Sequence, residues 1–277
     1  MVVSSSGWRG VFGADEESLS GVVAREKQEV AAAAAYAVGT VLLQGDADGA
    51  VIVATDSRPT GPLLARVAME VLRGMKLPVR FLGVRPTPEV LAYTAASQGV
   101  RGFLILTASH NPAGHNGIKF GFGDGRVAGG AAAAAAAVLF RECIEDVDRF
   151  RTVSEAWTRG HAGGLGEVYA ALGQQKGEAE EAYRGKVVET MLRAPLEGEG
   201  ASLLTALEEG LRKDPLGIVI DFNGSARANS IDIQLLESLG VKVEAIHDSP
   251  GEIAHTIVPE GPGLAECKEA LQKAYRR

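Results

Sequence analysis

Cysteine is almost missing from this chain. The 277 residues hold two, Cys143 and Cys267, far apart and outside any metal-ligand or redox spacing. Two free thiols, in a cytoplasmic protein, are the expectation rather than a disulfide framework. Long apolar runs are also missing. The two strongest candidates, Val30–Leu43 and Val127–Phe140, are rich in alanine and interrupted by glycine. Each falls short of the ~20 residues that cross a bilayer, so no membrane partner is expected. The N-terminus, MVVSSSGWRG, has no basic stretch leading into an apolar one, so no secretory signal is read there. Positive charge is not in excess: 28 Lys and Arg stand against 35 Asp and Glu, a net charge of -7. That argues against a nucleic-acid surface and leaves room for a local anion site made by a few N–H groups and cations.

With 46% hydrophobic and 23% charged residues, the remainder is an ordinary globular composition. Residues 18–44 open on Ser-Leu-Ser-Gly and predict a long alanine-rich helix, followed by a turn at Asp46-Ala47-Asp48-Gly49. Ala50–Thr55 (AVIVAT) is continuously apolar and β-branched, the pattern of a strand buried on both faces. A loop, Asp56-Ser57-Arg58-Pro59-Thr60-Gly61-Pro62, leads to a helix ending near Met75. Val79–Val84 is a second strand, Glu89–Gln98 a helix and Gly102–Thr107 a third strand. Strand, loop and helix in this repetition predict a layered α/β/α domain on a mostly parallel mixed sheet. The loops at Asp56, Arg85 and Ser109 then gather at one edge, at the carboxyl ends of the strands.

From about Arg149 to Gly210 the sequence is charged, Gly-containing and helical. The α/β pattern then restarts with a strand at Gly217–Phe222, a tight loop at Asn223-Gly224-Ser225-Ala226, a helix at Ala228–Leu239 and a strand at Val241–Ile246. A last helix is expected over Gly263–Tyr275. The division expected is a first domain over residues 1–190 and a second α/β domain of the same kind, visibly begun and not visibly finished, over 191–277.

The chemistry concentrates in Leu104–Phe120, LILTASHNPAGHNGIKF. Ser109 stands in a turn at the end of a buried strand, and Asn111-Pro112 ends regular structure there. Gly114 and Gly117 are expected to let backbone approach a ligand closely. His110, Asn111 and Lys119 offer donors. No G-x-S-x-G surrounds the serine, so a phosphate-handling group fits better than an acyl-transfer nucleophile. From the residues alone, that reading and a plain polar turn stand level. A metal pair from His110 and His115 is disfavoured, because no carboxylate or thiolate is near in sequence.

Thr107-Ala108-Ser109-His110-Asn111-Pro112, followed by Asn116-Gly117-Ile118-Lys119, resembles the active-site serine loop of the α-D-phosphohexomutases. That superfamily includes phosphoglucomutase, phosphomannomutase and phosphoglucosamine mutase. Ser6-Gly7-Trp8-Arg9-Gly10 resembles the family's N-terminal segment, with Ser4-Ser5 in place of Gly-Thr. Asp56-Ser57-Arg58-Pro59 resembles its D-x-R-x-S stretch, with Thr60-Gly61 in place of the usual serines, Thr87-Pro88 its T-P, and Gly217–Gly224 the opening of its second domain. The resemblance implies that Ser109 carries a phosphoryl group, that Lys119 is the general acid/base and that His110 assists. It implies that Arg9, Asn111 and Arg58 bind phosphate or substrate. Mg²⁺ would meet Ser109 through its phosphate, and a sugar bisphosphate would serve as activator of a phosphosugar mutase. The family's aspartate loop D-G-D-G-D-R has no counterpart in this sequence, and neither do its G-E-x-S-G-H and R-x-S-G-T loops. The chain is therefore expected to be the N-terminal portion of a mutase, inactive alone. The alternatives are a short non-catalytic phosphosugar- or partner-binding paralogue, or one half of a split enzyme. An unfinished second domain would favour a homodimer or the missing C-terminal domains as cover. Trp8 and the T-A-S-H-N-P form lean, by resemblance, toward the glucose and mannose types.

Overall fold

The computed structural model describes residues 2–4, 7–45, 48–254, 268–269 and 271–273. In chain order the elements are β1 (Val2–Ser4), β2 (Gly7–Val11), α1 (Arg25–Leu43), β3 (Ala50–Thr55), α2 (Gly61–Gly74), β4 (Val79–Val84), α3 (Thr87–Ala96), β5 (Val100–Leu106) and β6 (His115–Phe122). Four helices follow: α4 (Gly130–Glu145), α5 (Val147–Gly163), α6 (Gly166–Ala170) and α7 (Leu172–Leu192). Then come α8 (Glu199–Lys213), β7 (Gly217–Asp221), a 3-10 turn (Ala226–Asn229), α9 (Asp232–Ser238) and β8 (Lys242–Ile246). The chain divides into two compact units, Met1–Ala179 and Glu180–Arg277. The division falls inside α7, on the N-terminal side of residue 190.

In the first unit a six-stranded sheet runs β1-β2-β6-β5-β3-β4. Strands β5, β3 and β4 are mutually parallel, as strand–loop–helix repetition requires. The β1–β2, β2–β6 and β5–β6 pairs are antiparallel. The sheet is mixed, with a larger antiparallel share than the repeat suggested. The reason is local: after β5 the chain turns straight back as β6, with no crossover helix.

All six residues of β3 are buried, and its alternate residues feed two different layers. Val51, Val53, Leu104, Leu106, Ile118 and Phe120 share one core with α1, α2, α4 and α5. Ile52, Ala54, Phe103 and Ile105 point to the other face, where α3 packs on β3 and β5. Trp8 belongs to the first core. It is 2% exposed and packs on Phe140 at 5.1 Å and edge-on to Phe120 at 6.3 Å between ring centroids.

The long N-terminal helix begins at Arg25, later than the Ser-Leu-Ser-Gly start expected near residue 18. The serines explain it. Ser18 Oγ accepts the N–H of Ser20 at 3.3 Å, and Ser20 Oγ accepts that of Val22 at 3.2 Å. Such bonds compete with helical ones. The helix expected over Ala228–Leu239 is split into the 3-10 turn and α9. The turn at Asp46-Ala47 and most of the helix over Gly263–Tyr275, with Cys267, lie outside the described residues; Lys268–Glu269 and Leu271–Lys273 are helical. Cys143 is free and buried in α4, and burial pushes its thiol above the ordinary value.

In the second unit β7 and β8 form a parallel pair in the register Gly217↔Lys242 to Asp221↔Ile246, with α9 between them in sequence. This is the restarted α/β unit that the sequence pattern announced. Among the described residues no helix is long and apolar enough to cross a membrane.

One polar contact pins the helix layer of the first unit. Glu70 on α2 has a side chain only 6% exposed. It accepts a hydrogen bond from Trp157 Nε1 on α5 at 2.7 Å and from Arg66 Nε at 3.0 Å, and His161 Nδ1 lies 2.9 Å away. Arg25 of α1 covers the Trp157 ring at 4.2 Å. Burial pulls the Glu70 carboxyl up, but the hydrogen bonds from His161, Trp157 and Arg66 outweigh it and hold the group below its ordinary value. A depressed carboxylate stabilises the fold above the ordinary value of 4.5 and loses that effect as pH falls through its folded value. Glu70→Gln should therefore cost about 2 kcal/mol at pH 7. In urea titrations followed by tryptophan emission, the gap from the unaltered chain should narrow below pH 4.5.

Candidate functional site

The serine loop spans the reversal from β5 to β6. Its base is tied by the sheet: Thr107 N–H donates to Gly117 O at 3.0 Å. Ser109 and His110 are exposed at its tip, between buried Ala108 and half-buried Asn111. Ser109 holds a φ of 60°, left-handed backbone that a serine adopts at a cost of about 1–2 kcal/mol. Such a conformation persists only where the surroundings impose it.

The surroundings are specific. Asn111 closes the turn on itself: its backbone N–H and its Nδ2 both donate to Ala108 O, at 3.2 and 2.8 Å. Ser109 N–H donates to Thr107 Oγ1 at 3.3 Å. Arg58, from the loop after β3, reaches across. Its Nη2 donates to Ser109 O at 3.0 Å and Asn111 O at 2.6 Å, and its Nη1 to Pro112 O and to His115 O, the latter at 3.3 Å. Its Nε meets Asp56 Oδ2 at 3.1 Å. Burial pushes the Asp56 carboxyl above its ordinary value. Arg58, the Thr107 hydroxyl and the N–H groups of Arg58 and Ala108 pull the other way without cancelling the shift.

The N-terminal segment clasps the far side of the loop. Phe12 and Gly13 N–H groups donate to Gly114 O at 2.9 and 2.8 Å, and Gly114 N–H donates to Glu16 O at 2.8 Å. Fully buried Asn116 donates to Thr60 Oγ1 at 3.0 Å and accepts from the N–H of Gly117 at 2.8 Å. The two glycines thus have a different use from the one expected. A Cβ on Gly114 would lie 1.9 Å from Asp15 O, and one on Gly117 would lie 1.8 Å from Trp8 O. They make room for the protein's own N-terminal segment.

Lys119 sits on β6 opposite Ile105, half-buried and two residues past the level of the loop's base. Arg9 on β2 pairs with Gly117. Arg9 and Lys119 therefore share one face of the sheet as diagonal neighbours, about 7–8 Å apart by the geometry of antiparallel pairs. It is the face that α3 covers farther along. Trp8 and Ile118 point to the opposite, packed face. His115 does not join His110 as a metal pair: it pairs with Val11 on the sheet, and its Nε2 is 3.8 Å from Glu16. Among the described residues no cluster of three His, Cys, Asp or Glu could hold a metal ion. The Mg²⁺ that the resemblance implies thus has one prospective ligand here, a phosphate on Ser109, and no carboxylate set beside it. These residues do not fit a complete metal site.

Sequence reasoning passed over Asp56, Thr60 and Asn116 as members of this site. Asn116 stood in the quoted Asn116-Gly117-Ile118-Lys119 stretch without a role of its own. Asp56 and Arg58 stood in the quoted D-x-R stretch, but a side chain's target among backbone carbonyls has no sequence signature.

The family model for phosphoglucomutase/phosphomannomutase, alpha/beta/alpha domain I, matches residues 2–142. The chain belongs to this family. A phosphoglucosamine mutase of Alkaliphilus metalliredigens is 37% identical over 114 residues, 40% of this chain and 24% of the relative. One of Synechococcus elongatus is 29% identical over 214 residues, 76% of this chain and 38% of the relative. A crystal structure of a Thermus thermophilus protein assigned as a phosphomannomutase has TM-score 0.62 at 22% identity, over 96% of this chain and 51% of that one. A Burkholderia thailandensis phosphoglucomutase/phosphomannomutase family protein has TM-score 0.52 at 20% identity, over 91% and 46%. The chain thus spans about half or less of the length of these relatives. These relatives carry names of both types, and Trp8, one of the two features behind the lean toward the glucose and mannose types, is a core residue.

The clasp predicts a sharp contrast between two Gly→Ala substitutions. Gly117→Ala should lower stability by about 2 kcal/mol or more, because the β2 backbone blocks the methyl group. Gly177→Ala, in open space on α7, should raise it by up to about 1 kcal/mol through helix propensity. Thermal unfolding of the two variants beside the unaltered chain checks both.

Proposed function

We propose that this chain is the phosphoserine-bearing portion of a phosphohexomutase, a protein that moves a phosphate between two hydroxyls of a sugar. The observation that carries the reading is Ser109: exposed, held in left-handed backbone, and braced from three sides in a chain of this family. A serine ester is a stable store of a phosphoryl group in water, and most of the catalysis of its transfer is positioning and charge stabilisation.

In the proposed reaction the Oγ–P bond of phosphorylated Ser109 breaks as a substrate hydroxyl oxygen bonds to phosphorus. The hydroxyl proton passes to Lys119 and on to the departing Ser109 Oγ. The resulting sugar bisphosphate, turned end for end, returns its other phosphate to Ser109 Oγ, whose proton passes back through Lys119 to the oxygen left on the sugar. Arg9, on the same sheet face as Lys119, is a charge for the substrate phosphate. His110 is exposed beside Ser109 and within reach of what it carries. Asn111 shapes the turn through both of its bonds to Ala108 O. The family's D-G-D-G-D-R, G-E-x-S-G-H and R-x-S-G-T loops are not in this sequence, so the proposal assigns this chain the phosphoryl store and not sugar selection or full turnover.

Intact mass and tandem mass spectrometry test the store. After incubation with a hexose 1,6-bisphosphate the chain should gain the mass of one phosphoryl group, located on Ser109 and removed by phosphatase. Ser109→Ala should gain none. Mass appearing on another residue, or on neither chain, would count against the assignment. Assayed alone with Mg²⁺ and bisphosphate, the chain should show no sustained interconversion of sugar 1- and 6-phosphates.

A further inference from the structure

Arg58 was expected to bind phosphate or substrate. Its geometry points elsewhere. A guanidinium has five N–H donors and no acceptor. Here Nε faces Asp56 Oδ2, Nη1 faces the carbonyls of Pro112 and His115, and Nη2 faces those of Ser109 and Asn111. Five acceptors match five donors, and the side chain is only 10% exposed. Asp56 fixes the fork from behind, since its Oδ1 also accepts the N–H of Arg58 at 3.1 Å.

What this does to Ser109 follows from the two peptide planes that flank it. The plane before it is pinned at both ends: Ala108 O accepts two bonds from Asn111, and Ser109 N–H donates to Thr107 Oγ1. The plane after it is pinned at Ser109 O by Arg58, which also takes the half-buried carbonyl of Asn111 two residues on. Fixing both planes fixes φ and ψ of Ser109, and with them the direction of its Cα–Cβ bond.

We infer that Arg58 is a positioning residue: its guanidinium, held by Asp56, binds four carbonyls of the serine loop and so aims the Ser109 hydroxyl, with no donor left over for a sugar phosphate. The functional consequence rests on the proposed phosphoryl role of Ser109. A lysine cannot replace this arginine, because a single ammonium cannot reach four carbonyls spread over a planar fork. The role differs from phosphate binding in what it moves: it acts on the serine's orientation, and a ligand's affinity does not depend on it.

The test uses the full chain, labelled with ¹³C and ¹⁵N, as Arg58→Ala and Arg58→Lys. Ser109 ¹³Cα and ¹³Cβ shifts report its backbone angles. Both variants should lose the left-handed signature, and millimolar guanidinium chloride added to Arg58→Ala should restore it while leaving Arg58→Lys unchanged. Ser109 phosphorylation by a hexose 1,6-bisphosphate should slow about 100-fold in both, the usual effect of a misplaced reacting group. Affinity for glucose 1-phosphate, read by calorimetry, should change less than twofold. An unaltered Ser109 signature in both variants, or a signature restored in Arg58→Lys, would overturn the inference. So would a tenfold loss of sugar phosphate affinity with the signature intact, the mark of a phosphate-gripping arginine. If the unaltered chain takes up no phosphate, the phosphoryl role of Ser109 fails, while the shift measurements still decide whether Arg58 sets the loop. Should Arg58→Ala fail to fold, Arg58→Lys retains the charge and the stem and decides the same points.

Discussion

The Arg58 guanidinium donates to four backbone carbonyls around the reversal from β5 to β6, those of Ser109, Asn111, Pro112 and His115. Buried or half-buried backbone oxygens need such partners, or the loop loses about a hydrogen bond's worth of free energy at each one. The candidate site depends on this single fork. Asp56, at the end of β3, aims it. The N–H groups of Phe12 and Gly13 hold the opposite side of the loop at Gly114 O. Two chain segments, far apart in sequence, thus converge on a loop of eight residues and leave only Ser109 and His110 standing out of it.

Each half of the sheet has a separate part in this. The parallel half sets the loops side by side. Because Thr55 pairs with Leu106, and Asp56 N–H donates to Leu106 O at 2.9 Å, residues 56–58 and 107–111 leave the sheet as neighbours. The adjacency of β3 and β5 is what brings Arg58 to the serine loop. The antiparallel half carries the cations. It puts Arg9 and Lys119 on the face opposite Trp8 and Ile118, so the same two strands fill the core with one set of side chains and present charge with the other.

Much of the architecture was legible in the sequence. AVIVAT could only be a strand buried on both sides, and the three strand-ending loops had to share an edge. Other features were hidden for physical reasons. His115–Phe122 contains two glycines, an asparagine and a lysine, so its β pattern is weak; pairing on both sides with β2 and β5 makes it a strand. Ser109 and its neighbours announced themselves by type and order. The use of Gly114 and Gly117 did not, since a glycine shows only that something comes close, and the neighbour turned out to be the chain itself. Arg58 was visible as a charge. Its direction was not, because the acceptors that decide it are backbone oxygens fifty residues on, brought near by the sheet register.

That direction changes how charge is distributed around the serine. Arg58 is paired with Asp56, so the brace adds little net positive charge where a phosphoryl group would sit. On the proposed reading, Ser109 is then oriented by one arginine and electrostatically served by other groups: Arg9, Lys119, and whatever the remainder of a mutase contributes. Separating aim from activation suits a store. A phosphoserine surrounded by unpaired cations would be activated toward any hydroxyl, water included, because fixed positive charge stabilises the transferring group whatever attacks it. A serine held by a neutral brace keeps its geometry at all times and becomes reactive only when charge is brought to it.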